Sequence, residues 1–386
     1  MNAAEILKEL VAIPTASALS NLPLLSWVAR FLETRDWQIE LYPYRDGNGV
    51  EKANLIARPV GADPNVPIDP AFVCHTDTVP HAADWQDALR LTSKDKGFLH
   101  GCGACDVKGA LACFLAAVDA SAPRSVNPRV ALILTADEEI GCKGIERLLG
   151  TTNLRIGSAI VSEPTSLYPG VAGKGYGLAR VTIRGIEAHS AFPGEGLSAI
   201  ALAADFICRI ENLGSASESN PDQKPVVDAL FEPPHTTINI GTIQGGTAKN
   251  IVAGSCTFLV EWRPVPGDAP RRVFEAIEQE ARNLLYEQPR AHIEVQLLRA
   301  EPGFGPSNSG PLLNRLAEVA HSHQSQSRPV TGISFGSEAS RLARIAEEVI
   351  VIGPGDMHSA HSDRECVPIA ELEEWTETLR ALLMGT

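Results

Sequence analysis

Positive charge is what this 386-residue chain is short of: 33 Lys and Arg stand against 47 Asp and Glu, a formal net charge of −14. Gripping a phosphate backbone needs a basic footprint, so nucleic acid is excluded as a partner. An acidic balance suits a site that gathers cations, but it is too common to point to one. No apolar run is long enough to cross a bilayer, so no membrane partner is expected. The first eight residues lack a charged segment followed by an apolar one and read as an amphipathic helix, which makes a cytoplasmic location the expectation. Eight cysteines are scattered at 74, 102, 105, 113, 142, 208, 256 and 366, without the density of a secreted disulfide framework. Cys102 and Cys105 form a C-x-x-C, yet no second pair or nearby His completes a tetrahedral zinc site. They read as small residues in a tight glycine turn, close enough to Asp106 to leave oxidation near it open. Internal repeats and low-complexity tracts are also missing.

What is present is an ordinary globular composition, 44% hydrophobic and 21% charged, on a chain long enough for two domains. Up to residue 171, helical and strand patterns alternate. Helices are expected at 5–13, 22–35, 108–120 and 142–149, and strands at 37–42, 53–57, 71–74, 130–136 and 158–162. That alternation implies βαβ units and a largely parallel sheet. Residues 172–302 differ. Strand 178–183, helix 196–213, strands 236–244 and 254–263, helix 270–286 and strand 291–298 give the order β-α-β-β-α-β, which is ferredoxin-like. A polar loop is expected at 215–225. From 303 the α/β pattern returns, with helices at 311–323, 338–345 and 370–383, an extended 331–334 and a strand at 349–352. The fold class is therefore α/β: a mixed, largely parallel sheet domain made of residues 1–171 and 303–386, with a ferredoxin-like βαββαβ domain at 172–302 inserted into it.

Metal-type residues gather where apolar runs end. His75 and Asp77 follow 71–74, and Asp106 follows the turn from Gly101 to Cys105. Glu138 and Glu139 follow 130–136, Glu163 follows 158–162, and His358 and His361 come after 349–352. Ligands of open α/β sheets bind at the carboxyl ends of the strands. Acidic and imidazole groups crowded there need a cation, and this donor set suits one or two zinc-like ions and metal-assisted hydrolysis. Each residue alone has a plainer reading. His75 and Asp77 could form a solvated turn, although on extended backbone they point the same way and Asp77 could hold the second ring nitrogen of His75. Asp106 could cap a helix, and its two oxygens could also bridge two ions. Glu138 and Glu139 diverge on extended backbone, so one could bind metal while the other faces water. Glu163 could cap a turn, and either His358 or His361 could be the last ligand.

Taken together, the segments resemble the M20 family of co-catalytic metallohydrolases. The resemblance is carried by His75-Thr76-Asp77-Thr78-Val79-Pro80, by Gly101 and Gly103 with Asp106, Lys108 and Gly109, and by Thr135-Ala136-Asp137-Glu138-Glu139 with Gly141. Ser162-Glu163-Pro164-Thr165-Ser166, Gly185 with Ala188-His189-Ser190-Ala191, and Gly353-Pro354-Gly355 with Ala360-His361 and Glu365 complete it. The motifs span nearly the whole chain. The resemblance implies two zinc ions, with cobalt an alternative. Asp106 would bridge them, His75 and Glu163 would complete one site, and Glu139 and His361 the other. His361 is taken over His358 because Glu365 stands four residues later. Glu138 would be the general base, with Asp77 beside it, and His189 would reach the site of a second subunit in a homodimer formed through the inserted lid. Asn250 and Arg263 match lid positions that meet a substrate carboxylate, which an Arg fork suits. Cys102 departs from the family, where relatives commonly carry Arg.

Ser162–Ser166 and the segment Ser337-Glu338-Ala339 lean toward the branch that removes acetyl from N2-acetyl-L-ornithine in arginine biosynthesis. The substrate would then be a small N-acyl amino acid. Glu338 is the candidate partner for the ornithine ammonium, although it could equally complement a helix N-terminus. Two other readings stand beside this one: another amidase of the family, such as a desuccinylase, aminoacylase or dipeptidase, and a binding protein that kept the fold and lost catalysis.

Overall fold

The computed structural model describes the chain except residues 94, 123–124, 216–225, 227, 306–309, 323–327 and 385–386. All of the loop expected at 215–225 but Ser215 lies outside the described residues, as does His323 at the expected end of a helix. The chain divides into two compact units, residues 1–171 with 306–331 and 337–386, and residues 172–305 with 332–336.

In chain order the first unit opens with α1 (Ala3–Val11), α2 (Leu22–Glu33), β1 (Trp37–Arg45), β2 (Glu51–Pro59), β3 (Ala71–His75), β4 (Phe98–His100) and α3 (Lys108–Ala120). It continues through β5 (Ala131–Thr135), α4 (Lys143–Thr151) and β6 (Ile156–Val161), and β7 (Gly170–Gly173) spans the boundary at residue 171. The second unit holds β8 (Tyr176–Arg184), α5 (Ala199–Ser215), β9 (Thr237–Gly245), β10 (Ser255–Arg263), α6 (Arg272–Glu287) and β11 (His292–Glu301). The chain then runs through α7 (Pro311–Ser322), β12 (Thr331–Ile333), α8 (Ala339–Leu342), β13 (Ala346–Val351), β14 (Cys366–Pro368) and α9 (Ile369–Met384). Among the described residues no helix is long and apolar enough to cross a membrane.

The large sheet is mixed, in the order β1-β2-β5-β3-β6-β13, with Gly170 of β7 opposite Val351 beyond it. β3 pairs in parallel with β5 and β6, and β6 in parallel with β13, while β1 and β2 form an antiparallel hairpin joined antiparallel to β5. Every residue of β3 and β5 is buried, as expected of apolar runs covered on both faces. Helix α3 is buried along its length from Lys108 to Val118, and its small side chains let it lie close to α1 and α9. Phe114 anchors it to the sheet, stacked on Phe72 at 4.8 Å with Trp37 edge-on at 5.7 Å. Helix α1 begins with a capping box between Asn2 and Glu5, typically worth about 1 kcal/mol.

The second unit is an antiparallel sheet in the order β11-β8-β10-β9 with helices α5 and α6 packed against it. Alternating burial along β8 and β10 gives one apolar face, where Val181, Ile183, Phe258 and Trp262 meet Phe206 and Ile277. Trp262 lies across Gly177, its partner in register; a Cβ there would come within 1.8 Å of the indole.

Three features depart from the sequence expectations. The three-residue ribbon of β4 and β14 was not foreseen, nor was β7. The helix expected at 338–345 is the single turn α8, because β13 begins at Ala346 and the intervening backbone closes in tight turns, with Ile345 N–H on Leu342 O at 2.9 Å.

Candidate metal centre

Parallel register places the strand ends side by side. His75 is opposite Thr135, and Val161 pairs with both Val73 and Val351. The residues that follow Thr135, Val161 and Val351 therefore emerge at the carboxyl edge next to His75. Asp106 arrives from the turn before α3. That turn needs Gly103 at a φ of +76°, where a Cβ would lie 2.8 Å from Thr78.

Two groups of donors form there. In the first, His75, Asp106 and Glu163 each offer an atom within 4.8 Å of the others, and all three are buried. In the second, Asp106, Glu139 and His361 do the same. Asp106 belongs to both. Its Oδ1 lies 3.0 Å from His75 Nε2 and its Oδ2 lies 3.0 Å from His361 Nε2. His361 Nε2 is also 3.1 Å from Glu139 Oε1. One oxygen of Asp106 thus faces each group, a donor set of imidazole nitrogen and carboxylate oxygen that fits a pair of zinc-like cations. His358 is not part of it: its side chain is 96% exposed and faces Asp356 at 2.7 Å.

The charges of the two groups are mutually unfavourable without cations, and protonation records this. Burial works against ionising Asp106, yet hydrogen bonds from His361 and His75 hold it well below the usual carboxylate range. Glu138 is pushed up to about 8 by burial and by the charges of Glu139, Glu338 and Asp77, against the pull of His75. Burial likewise raises Glu163 well above its ordinary value. Burial would lower His75, but Asp106 and the surrounding carboxylates raise it well above an ordinary imidazole. Hydrogen bonds to Asp106 and Glu139 raise His361 to about 10. Cations held there would compete with protons for these groups.

A second layer of carboxylates holds the first. Asp77 accepts Glu138 N–H at 3.1 Å, Glu139 N–H at 3.3 Å and the Ser17 hydroxyl at 2.7 Å. The sequence expectation for Asp77 changes in detail. His75 Nδ1 meets the Asp77 carbonyl at 3.0 Å, whereas its carboxylate stands 3.8 Å away because its oxygens are turned to the main chain. Glu365, read from sequence only as a landmark for His361, accepts N–H groups from Gly103, Cys105 and Asp106 at 3.0, 3.0 and 3.1 Å. Ser17, Glu365 and the Cys142 thiol, which is 3.2 Å from Glu138 Oε1, were not singled out as site residues. Ser17 lies 60 residues before Asp77, with no motif of its own. Cys102 and Cys105 are buried free thiols in the turn.

Glu338 is 1% exposed, and neither carboxylate oxygen has a hydrogen-bond partner. Burial raises it to about 7, against the pull of His75 and of the nearby Thr135 hydroxyl, whose contact falls short of good hydrogen-bond geometry. On the second unit, His189 and Asn250 are exposed neighbours: His189 bridges Ile251, and Ser190 N–H meets Asn250 O at 3.0 Å. Arg263 ends β10, with Nε on Glu261 at 2.7 Å and its guanidinium 4.6 Å over the Tyr176 ring.

A family model described as peptidase family M20/M25/M40 matches residues 71–385. A Myxococcus xanthus protein named acetylornithine deacetylase is 41% identical over 367 residues, covering 95% of this chain and 92% of that one. Among solved structures, a tripeptidase from Staphylococcus aureus superposes with a TM-score of 0.77 at 20% identity, over 99% of this chain and 97% of that one. A Bacillus subtilis protein described as a dinuclear metal binding peptidase from the M20 family gives 0.68 at 17% identity, over 100% and 98%. These two structural likenesses show the fold alone.

Replacing Glu365 by Ala strips three buried N–H groups of their acceptor, each worth about 1–3 kcal/mol when left unsatisfied. Urea unfolding of Glu365→Ala should show a loss of about 3 kcal/mol or more. A variant as stable as the parent would show that this carboxylate does not hold the turn.

Proposed function

We propose, from the premise that this chain belongs to peptidase family M20/M25/M40 and hydrolyses amides, that it removes the acetyl group from N2-acetyl-L-ornithine to give ornithine and acetate. For hydrolysis, the carrying observation is the pair of donor groups sharing Asp106. For the substrate, support comes from the 41% identity to a protein of that name. The setting would be arginine biosynthesis in the cytoplasm.

In this reading His75 and Glu163 would hold one cation, Glu139 and His361 the other, and Asp106 would contribute to both. Zinc is the expected metal and cobalt a substitute. Bound there, the two ions would polarise the amide carbonyl and make water a stronger acid. Glu138 accepts the proton of the attacking water on its carboxylate and delivers it to the amine nitrogen as the C–N bond breaks. Asp77 fixes the Glu138 main chain through its N–H, and Glu365 fixes the turn that carries Asp106. Asn250 and Arg263 take the substrate carboxylate, and Glu338 takes the ornithine ammonium. A buried carboxylate without partners suits that task, since an unpaired ammonium is costly to bury. The short α8 weakens the alternative of a charge serving a helix N-terminus, because only four residues follow in that helix.

The second unit is read as the lid of a homodimer, with His189 acting across subunits on the tetrahedral oxyanion. Supporting this, β9 is an edge strand with one side unpaired, and Ile200, Ile243 and Ile251 are exposed on the same unit at 45%, 51% and 38%.

Four outcomes test the reading. Chelation should abolish turnover, and zinc or cobalt should restore it. Glu138→Gln should keep its metal and lose about 10²–10⁴-fold in kcat, whereas metal loss in this variant and not in Glu139→Gln would reverse the two roles. Glu338→Gln should raise KM for acetylornithine and narrow its advantage over acetylmethionine without changing metal content. An equal loss on both substrates would remove Glu338 from specificity. Mixing inactive His189→Ala and Glu138→Gln chains should regain part of the activity, and an active monomer in solution would contradict the dimer.

A further inference from the structure

Lys52 is a buried cation that the proposed reaction does not use. It lies on β2 directly opposite Tyr44 of β1 and is 1% exposed. Its ammonium donates to Oδ1 of Asp137 and, at 2.5 Å, to the carbonyl of Ser17, with Asp46 Oδ2 at 3.7 Å. The Tyr44 hydroxyl donates to the other oxygen of Asp137 at 2.8 Å, and the Arg147 guanidinium covers the Tyr44 ring at 4.8 Å. The cross-strand pair on the hairpin therefore grips both oxygens of Asp137.

Asp137 is the residue before Glu138. Its φ is +60°, a left-handed conformation uncommon outside glycine, which the surroundings must hold. The turn then closes with Lys143 N–H on Asp137 O at 3.0 Å and Cys142 N–H on Glu138 O at 2.8 Å. The second contact of Lys52 reaches the other side of the same machinery. Ser17, whose carbonyl Lys52 holds, donates its hydroxyl to Asp77 at 2.7 Å, and Asp77 receives the N–H groups of Glu138 and Glu139. One ammonium thus ties the turn that carries Glu138 to the loop that steadies Asp77. Stability alone is a weak reason for this arrangement, because a buried ion pair is often no better than apolar residues of the same volume.

We propose that Lys52, with Tyr44, is a positioning residue for Glu138: it clamps Asp137 and the Ser17 loop so that the Glu138 carboxylate keeps its place in the site. The proposal rests on the reading of Glu138 as the base. Misplacing a catalytic group by about 1 Å can cost on the order of 10²-fold in rate.

The test uses full-length, metal-loaded enzyme and the variants Lys52→Met, Lys52→Arg, Tyr44→Phe, Glu138→Gln and Lys52→Met/Glu138→Gln. Lys52→Met should lose about 10²-fold in kcat with KM and metal content unchanged. Lys52→Arg, which keeps the charge, should lose less, and Tyr44→Phe should fall by roughly fivefold, the loss of one hydrogen bond. In the Glu138→Gln background, Lys52→Met should add no further loss. A folded Lys52→Met enzyme with full kcat beside an inactive Glu138→Gln would overturn the positioning role and leave the base reading intact. So would an equal fold-loss from Lys52→Met in both backgrounds, or loss of metal in place of kcat. Full activity of Glu138→Gln would remove the base reading and this proposal together. If Lys52→Met does not fold, wild-type kcat in both Tyr44→Phe and Lys52→Arg overturns the proposal.

Discussion

The carboxylate of Asp106, with one imidazole on each oxygen, is the contact on which the site depends. It joins two donor groups at the sheet edge and makes their charges interdependent. Burial and the neighbouring carboxylates work against ionising Glu163 without a counter-charge nearby. The elevated affinity for protons at Glu138, Glu163 and His75 is the same fact seen from the proton's side. Cations would relieve it, and because imidazole must be neutral to ligate, their arrival would release protons. The sheet makes this crowding tolerable. Strands buried on both faces cannot retreat from one another, so the repulsion at their ends cannot be relaxed by movement of the backbone.

Two kinds of buried carboxylate follow from that constraint. Glu163 and Glu139 each stand beside Asp106, one in either donor group. Asp77 and Glu365 turn away, and each holds a stretch of main chain by its N–H groups. Asp77 fixes the turn after β5 and Glu365 fixes the turn before α3. The turn carrying Glu138 and Glu139 and the turn carrying Asp106 thus each have an anionic anchor. Lys52 extends the same logic by one step, since it links the turn after β5 to the loop that supports Asp77.

Much of this was legible in sequence where burial is uniform. The apolar runs before His75 and Asp137 read as strands with both faces covered, and every residue of β3 and β5 is buried. The βαββαβ order was legible because β8 and β10 alternate cleanly, one face in and one face out. The ribbon of β4 and β14 was not, since three residues carry no period. Nor was the contraction of α8, which depends on where β13 must begin. Within the site, the sequence named the residue types at the strand ends but could not say which atom of Asp77 meets His75. Side-chain alternation pointed to the carboxylate; the turn brought the carbonyl closer and sent the carboxylate to Glu138 and Glu139. Ser17 and Glu365 act from far along the chain, and no local pattern marks a residue whose partners are backbone N–H groups elsewhere.

Substrate choice is the least legible part, and two of the three polar candidates show why. Glu338 is buried with both oxygens unpartnered, so its environment favours a group that brings its own donors. Arg263 is already half committed. Glu261 takes its Nε, and the Tyr176 ring lies beneath its plane. Those two contacts fix the direction of the guanidinium and leave it little side-chain freedom. A sequence shows an Arg at the end of a strand in either case. Its neighbours, Glu261 two residues earlier and Tyr176 on the facing region of β8, turn that Arg from a flexible surface charge into one held in a single direction.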